Sequence, residues 1–286
     1  MLKRFRLEEP GSVREASELL AQFGDAAKLY AGGTELLLAM KEGLVHYERL
    51  VNVKTVPGLK EIKAENGIVR IGALATHHEI ETSPLVRERL PAFAKLERNV
   101  ANVRVREAGT IGGNLCFAEP HADPGTLLLV LEAQLVAAKA AGTRRIPAEA
   151  FFVDAYETSL EPDEVLTEIH IPVPTERSGV SYMKFGYLER PSVGVAVKLS
   201  LDGGAVQNVG IAVGCAGPAP RRVKEAEELL RGKTPDEALQ LLPDAGRTAA
   251  KAAQAISDLH GSQEYKEHIV GVLLRRCFQD ALNQCR

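Results

Sequence analysis

Cysteine is scarce and scattered: the chain of 286 residues has four, Cys116, Cys215, Cys277 and Cys285. None forms a CxxC pair or a Cys/His array of zinc spacing, so a metal or iron–sulfur centre ligated by this chain is not expected. Free, buried or half-buried thiols are the simpler reading. Positive charge is not in excess either. Lys and Arg number 35 against 38 Asp and Glu, a net charge of -3, which offers no broad surface to a nucleic-acid backbone or anionic lipid. Long apolar runs are missing: the longest, Thr126 to Ala138, is broken by Glu132 and Gln134, so no transmembrane segment is expected. The basic start, Met1-Leu2-Lys3-Arg4-Phe5-Arg6, has no apolar core behind it; a signal peptide is not indicated and a cytoplasmic location is the expectation. No internal repeat or low-complexity segment is visible.

What remains is the composition of a globular protein, 45% hydrophobic and 26% charged, long enough for one large or two ordinary domains. Ser12-Val13-Arg14-Glu15 reads as a capping box before Val13, Ala16, Leu19, Leu20 and Phe23 at helical spacing, with Gly24 as terminator. A short strand, Lys28 to Ala31, runs into Gly32-Gly33-Thr34, and a helical stretch from Glu35 to Met40 closes at Gly43. Strands are expected at Arg49 to Val53, and at Leu59 to Ile62 and Ile68 to Ile71 around an Asn66-Gly67 hairpin turn. Thr76-His77-His78-Glu79 is a second capping box, and a helix is expected from Pro91 to Val100. A second glycine cluster, Gly109-Thr110-Ile111-Gly112-Gly113-Asn114, precedes the apolar Leu127 to Leu131 and strands at Gln134 to Ala138 and Glu164 to Pro172.

Pro172 to Gly179 reads as a linker. Beyond it Val193, Val195, Val197, Leu199 and Leu201 alternate strictly, which predicts one buried strand face. Asp202-Gly203-Gly204 turns that strand into a partner over Ala205 to Val213. The rest is predicted helical: Arg221 to Arg231, a helix entered by Thr234-Pro235-Asp236-Glu237, then Asp244 to Leu259, and Ser262 to Leu282. The expected architecture is α+β, an N-terminal domain of residues 1–176 and a smaller antiparallel-sheet-plus-helices domain of residues 177–286.

The glycine clusters carry the chemistry. Glycine lets backbone N–H groups converge on an anion, and a following helix adds its dipole. Gly32-Gly33-Thr34 alone reads first as a tight turn, and Glu35 opposes a phosphate site unless its side chain points away. The second cluster alters the balance, because two such nests can embrace one pyrophosphate. Neither fits the Rossmann GxGxxG pattern, and neither contains the lysine of a nucleotide-hydrolysing P-loop.

Ala31-Gly32-Gly33-Thr34-Glu35-Leu36 and Thr110-Ile111-Gly112-Gly113-Asn114 resemble the paired FAD motifs of the medium, flavin-carrying subunit of the molybdenum hydroxylases, the xanthine dehydrogenase and aerobic carbon monoxide dehydrogenase family. Ile71-Gly72-Ala73 with Thr76-His77, Glu164 to Glu168 before Ile171-Pro172, Lys184-Phe185-Gly186, and Tyr265 with Leu274-Arg275-Arg276 extend the resemblance along the whole chain. It implies an N-terminal FAD-binding domain of the vanillyl-alcohol-oxidase (PCMH) type in two α/β subdomains, about 1–57 and 58–176, and the C-terminal domain typical of these flavoproteins. Carried over, Ala31 to Leu36 and Thr110 to Asn114 hold the FAD pyrophosphate, and Asp123 bonds the ribityl chain. Leu166 packs on the isoalloxazine and Lys184 lies near its polar edge, where a cation raises the flavin potential. The resemblance further implies an iron–sulfur small subunit carrying [2Fe-2S] clusters and a large subunit carrying the molybdopterin cofactor. These partners form a dimer of heterotrimers that passes electrons to NAD, a quinone, oxygen or another acceptor. The sequence departs from the family pattern at Glu107, at Glu119 and in Arg190-Pro191-Ser192-Val193, where the family often has Asn, Asp and Asp; these changes bear on acceptor and potential. A self-sufficient FAD oxidase or dehydrogenase, and a non-enzymatic assembly protein of the same fold, remain as alternatives.

Of the other residues, His77 and His78 are adjacent, face different sides of a helix and cannot chelate together, so a structural or surface role is expected. His121 is a tuning group for the flavin or a loop histidine satisfied by backbone. Cys116 is expected as a buried filler. Arg275-Arg276 is read as a solvated or salt-bridged face.

Overall fold

The computed structural model describes residues 2–175, 177–186 and 190–285. Met1 of the basic start and Glu176 of the expected linker lie outside the described residues. Three larger sheets and a two-stranded ribbon, Phe152–Asp154 with Glu157–Thr158, are formed among the described residues. Arg6–Glu8, Arg49–Asn52 and Ala27–Tyr30 form a small parallel sheet with Arg49–Asn52 in the middle. The helix Val13–Phe23 lies against it, with Ala16 and Leu20 buried. Ser12 caps this helix as expected, but Glu15 reaches back to the Gly11 N–H at 2.8 Å rather than to the cap residue itself.

The second sheet is antiparallel, in the order Ile62–Glu65, Ile68–Gly72, Val165–Pro172, Gln134–Lys139, Gly142–Pro147. Asn66 and Gly67 both take positive φ in its hairpin. That hairpin starts at Ile62, three residues later than predicted at Leu59, because Leu59 is instead buried under the first sheet. Short helices share the core of this second sheet, including Pro91–Arg98, Ile111–Phe117 and Pro124–Val130, while Val103–Ala108 packs on the helix His77–Thr82. The apolar stretch from Leu127 is thus part of a helix buried along its whole length.

The third sheet, Ser178–Phe185, Val193–Asp202, Ala205–Gly214 and Arg221–Arg222, is antiparallel and carries the helices Lys224–Leu230, Pro235–Ala252 and Gln263–Gln284. Two helix boundaries differ from the expectation. Arg221 and Arg222 extend the sheet, and Pro235–Ala252 runs through Pro243 without a break at Asp244, then stops at Ala252 rather than Leu259.

The alternating strand is also more buried than its pattern suggests. Val193, Val195, Val197 and Leu199 face the C-terminal helices, yet Gly194 and Ala196 on the opposite face are buried as well. The helix Pro124–Val130 of the N-terminal half packs on that face, where only small residues leave room: a Cβ on Gly214 would lie 2.0 Å from Thr126 Oγ1. The two halves therefore share a close-packed seam rather than a solvated linker contact.

Candidate functional site

The first glycine cluster ends the strand Ala27–Tyr30 and opens the helix Leu36–Glu42. Gly33 has φ +73°, a conformation open to glycine, and Gly32 is pressed so close to the next loop that a Cβ would lie 2.2 Å from the Ala108 carbonyl and 2.8 Å from Gly109 Cα. The N–H groups of Gly32, Gly33, Thr34 and Leu36 make no hydrogen bond among the described residues. Amides left unbonded among the described residues at a strand end, ahead of a helix, can serve as an anion cradle. Glu35 does not block it: its carboxylate turns to Arg190, 3.5 Å from Nη2.

The second cluster lies directly beside the first, but it is not a second row of free amides. Thr110 caps the helix Ile111–Phe117, taking the Gly113 N–H on its hydroxyl at 3.1 Å. The Ile111 and Gly112 N–H groups bond to Ala75 and Ala73 carbonyls at 3.0 and 2.8 Å, and those of Gly109 and Asn114 to Val105 and Thr110 carbonyls. Gly112 is required for packing, since a Cβ there would lie 2.6 Å from that of Ala73. The expected second nest is therefore corrected to a helix wedged against the sheet. Gly113 is exposed, whereas Asn114 Oδ1 is buried without a hydrogen-bond partner among the described residues.

Asp123 and Lys184 come together, although 61 positions separate them. Lys184 Nζ donates to Asp123 Oδ2 at 2.8 Å and to the Asn99 carbonyl at 2.7 Å, and the Tyr182 hydroxyl donates to Asp123 Oδ1 at 2.6 Å. Asp123 is the N-cap residue of Pro124–Val130, yet its side chain makes no capping bond; both oxygens are used across the seam. Burial pushes the Asp123 carboxyl up, against the opposing pull of Lys184 and Tyr182. Burial and the Asp123 charge raise the Tyr182 hydroxyl well above its usual range, so it stays a donor. Cys215, 3.7 Å from the Ala122 carbonyl, is likewise held protonated by burial.

Leu166 stands at a bulge in Val165–Pro172, and only 4% of it is exposed. Almost no side-chain surface is left for a ring to lie on, which shifts its expected contribution from stacking to supporting a ligand from beneath. Glu119 and Asp258 bracket His121 at 3.0 and 3.1 Å, so this histidine is satisfied by carboxylates rather than by backbone. Glu107 stands 3.4 Å from His78 Nε2. Tyr182 escaped the sequence reading; its signal was its place two residues from Lys184 on one strand, hence on the same face. His77, expected as structural or on the surface, is buried and bonded to Glu97 at 2.5 Å.

Amides unbonded among the described residues at one loop, together with a buried carboxylate–lysine pair across the seam, are features expected of a protein that binds an anionic organic cofactor. Comparison with known proteins agrees. A family described as "FAD binding domain in molybdopterin dehydrogenase" matches residues 3–174, and one described as "CO dehydrogenase flavoprotein C-terminal domain" matches residues 189–281. The carbon monoxide dehydrogenase medium chain of Hydrogenophaga pseudoflava is 34% identical over 99% of this chain and 98% of its own. The nicotine 6-hydroxylase medium subunit of Paenarthrobacter nicotinovorans is 34% identical over 98% of each. A solved structure of the Hydrogenophaga carbon monoxide dehydrogenase, lacking the Mo-pyranopterin moiety of its molybdenum cofactor, superposes over 100% of both chains with a TM-score of 0.96. The chain belongs to the FAD-binding medium subunits of the molybdenum hydroxylases, an oxidoreductase family, and has their α+β fold of a PCMH-type FAD domain followed by a C-terminal flavoprotein domain.

Proposed function

We propose that this chain relays electrons through FAD inside a molybdenum hydroxylase, taking them from a [2Fe-2S] small subunit and delivering them to NAD, a quinone or another acceptor. A large molybdopterin subunit carries out the substrate chemistry, and the assembly is a dimer of heterotrimers in the cytoplasm. No helix of the described residues is long and apolar enough to cross a membrane. The proposed division falls at residue 176, between the two matched regions, with subdomains of about 1–57 and 58–176.

The observation that carries this reading is the set of amides at Gly32, Gly33, Thr34 and Leu36 that are unbonded among the described residues. They fit a dinucleotide: the amides donate to the pyrophosphate, and Ala31, Thr110, Ile111, Gly112 and Gly113 shape the wall against which it lies. Asn114 accepts a hydrogen bond from the cofactor. Asp123 accepts from ribityl hydroxyls while Lys184 and Tyr182 keep its carboxylate fixed, which reduces the ordering left to be done on binding. Leu166 backs the isoalloxazine, and Lys184 adds positive charge at its edge. FAD supplies the capacity to take electrons singly and release them in pairs. Purified chain should be yellow, with one non-covalent FAD per chain. Folded protein that stays colourless and ignores added FAD would falsify the proposal.

A further inference from the structure

We propose that His77 is a diphosphate-binding residue of this site, its Nε2–H donating to the cofactor phosphates while Glu97 holds its Nδ1. This inference rests on the FAD reading above and adds a charged ligand to a cradle otherwise built of backbone.

The placement of His77 is fixed from three sides. The segment Ala75 to His77 pairs with Gly109 to Ile111, His77 N–H bonding to the Gly109 carbonyl at 3.1 Å and Ile111 N–H to the Ala75 carbonyl at 3.0 Å. Glu97, wholly buried on the helix Pro91–Arg98, bonds to Nδ1 at 2.5 Å. The other edge of the ring turns to the glycine loops: a Cβ on Gly109 would lie 3.4 Å from His77 Cδ2 and 3.4 Å from Thr34 Oγ1. Nε2, bonded to that Cδ2, makes no hydrogen bond among the described residues. The His77 ring edge, the Thr34 hydroxyl and the Gly32 backbone thus meet at Gly109, on the loop that carries the unbonded amides of Gly32, Gly33 and Thr34. Every one of them can donate, which selects an anion.

The carboxylates nearby are already matched to cations. Asp123 pairs with Lys184, and Glu35 with Arg190. Around His77 itself, Glu81 on the same helix faces Arg106 at 3.3 Å, its carbonyl takes Arg87 from the neighbouring helix, and His78 pairs with Glu81 and Glu107. Glu97 has no cationic partner except His77, and its Oε1 has no partner at all. A ring donating to both Glu97 and a phosphate must carry two protons, or share one of them with Glu97. FAD binding therefore favours the form of the pair that carries the additional proton.

The test uses the full chain freed of FAD. Flavin fluorescence gives the Kd for FAD from about pH 6 to pH 8, and titration calorimetry in two buffers of different ionisation heat counts the protons taken up. His77→Gln with Glu97→Gln removes the charge without leaving an unpaired buried ion. We expect that variant to bind FAD, and ADP as a competitor, on the order of tenfold to a hundredfold more weakly at low pH, with the pH slope flattened. Wild-type affinity that is flat with pH and free of proton uptake overturns the inference even if the variant does not fold. So does a variant that matches wild type in Kd and slope. Wild-type protein that folds but binds no FAD overturns the underlying reading instead, and the two failures are told apart by the wild-type titration alone.

Discussion

Lys184→Met tests whether Asp123 and Lys184 act as one unit. The pair meets at 2.8 Å with 13% and 4% of the side chains exposed, so the lysine is the nearest compensation for a carboxylate out of water. Removing one partner of such a pair costs about 3–5 kcal/mol, because the other charge stays buried. The remaining Tyr182 hydrogen bond places the expected loss toward the lower end, a fall in Tm on the order of ten degrees. The loss depends on pH. The Asp123 carboxyl is already raised by burial and rises further without Lys184; a carboxyl whose folded-state value is raised favours folding in its protonated form. The variant's deficit should therefore be largest at neutral pH and shrink on acidification toward the ordinary carboxylate range. Adding Asp123→Asn removes the orphaned charge and should recover most of the stability, yet FAD content should stay low in the double variant because the ribityl acceptor is gone. Thermal unfolding of the four proteins, with flavin absorbance per chain, gives the full cycle. Additive stability effects with unchanged FAD content would refute the unit.

Three further outcomes follow from the same geometry. Gly32→Ala drives a Cβ to 2.2 Å from the Ala108 carbonyl, so FAD occupancy, read as visible absorbance per chain, should drop severely. Gly214→Val sets a side chain against Thr126 Oγ1, where a Cβ already stands at 2.0 Å; it should lower Tm by several degrees and make limited proteolysis cut between the two halves. His121 is pulled down by burial, but the carboxylates of Glu119 and Asp258 outweigh this and its value is raised. Its stabilisation is present below the ordinary imidazole value and lost as pH rises through the raised one, so wild type should lose stability on that rise and His121→Gln should not, as measured by urea unfolding.

How far the sequence revealed this molecule depends on whether the cause was local. Caps at Ser12 and Thr76, the Asn66-Gly67 turn and the glycine terminators at Gly24 and Gly43 depend on nearby residues, and the structure has them in place. The helix Pro235–Ala252 was misjudged at Pro243 because tertiary packing decides there: Leu242 and Ala245 are buried on either side and carry the helix across the missing N–H. The burial of Ala196 and Ala212 was not visible in the alternation, since small residues on a second face look neutral until another domain covers them. The second glycine cluster misled for a related reason. Gly112 is small so that a helix can approach Ala73, and the sequence does not distinguish a glycine that admits a ligand from one that admits a neighbouring element.

Asp123, singled out in the sequence by the family resemblance alone, breaks a local rule in the structure. Aspartate before Pro124 at a helix start should accept a hydrogen bond from the first turn, a contact that contributes about 1 kcal/mol. Here it makes no such bond and faces Lys184 and Tyr182 on a strand of the other domain. A buried carboxylate that gives up its cap, at a seam closed by Gly194 and Gly214, is held by interactions the local sequence does not specify. On the proposed reading, the cofactor site and the domain seam share Asp123. Whatever loosens the seam should also release the flavin, so flavin loss should accompany separation of the halves in the Gly214→Val protein; loss of the seam with FAD retained at wild-type affinity would show that Asp123 holds the domains together without holding the cofactor.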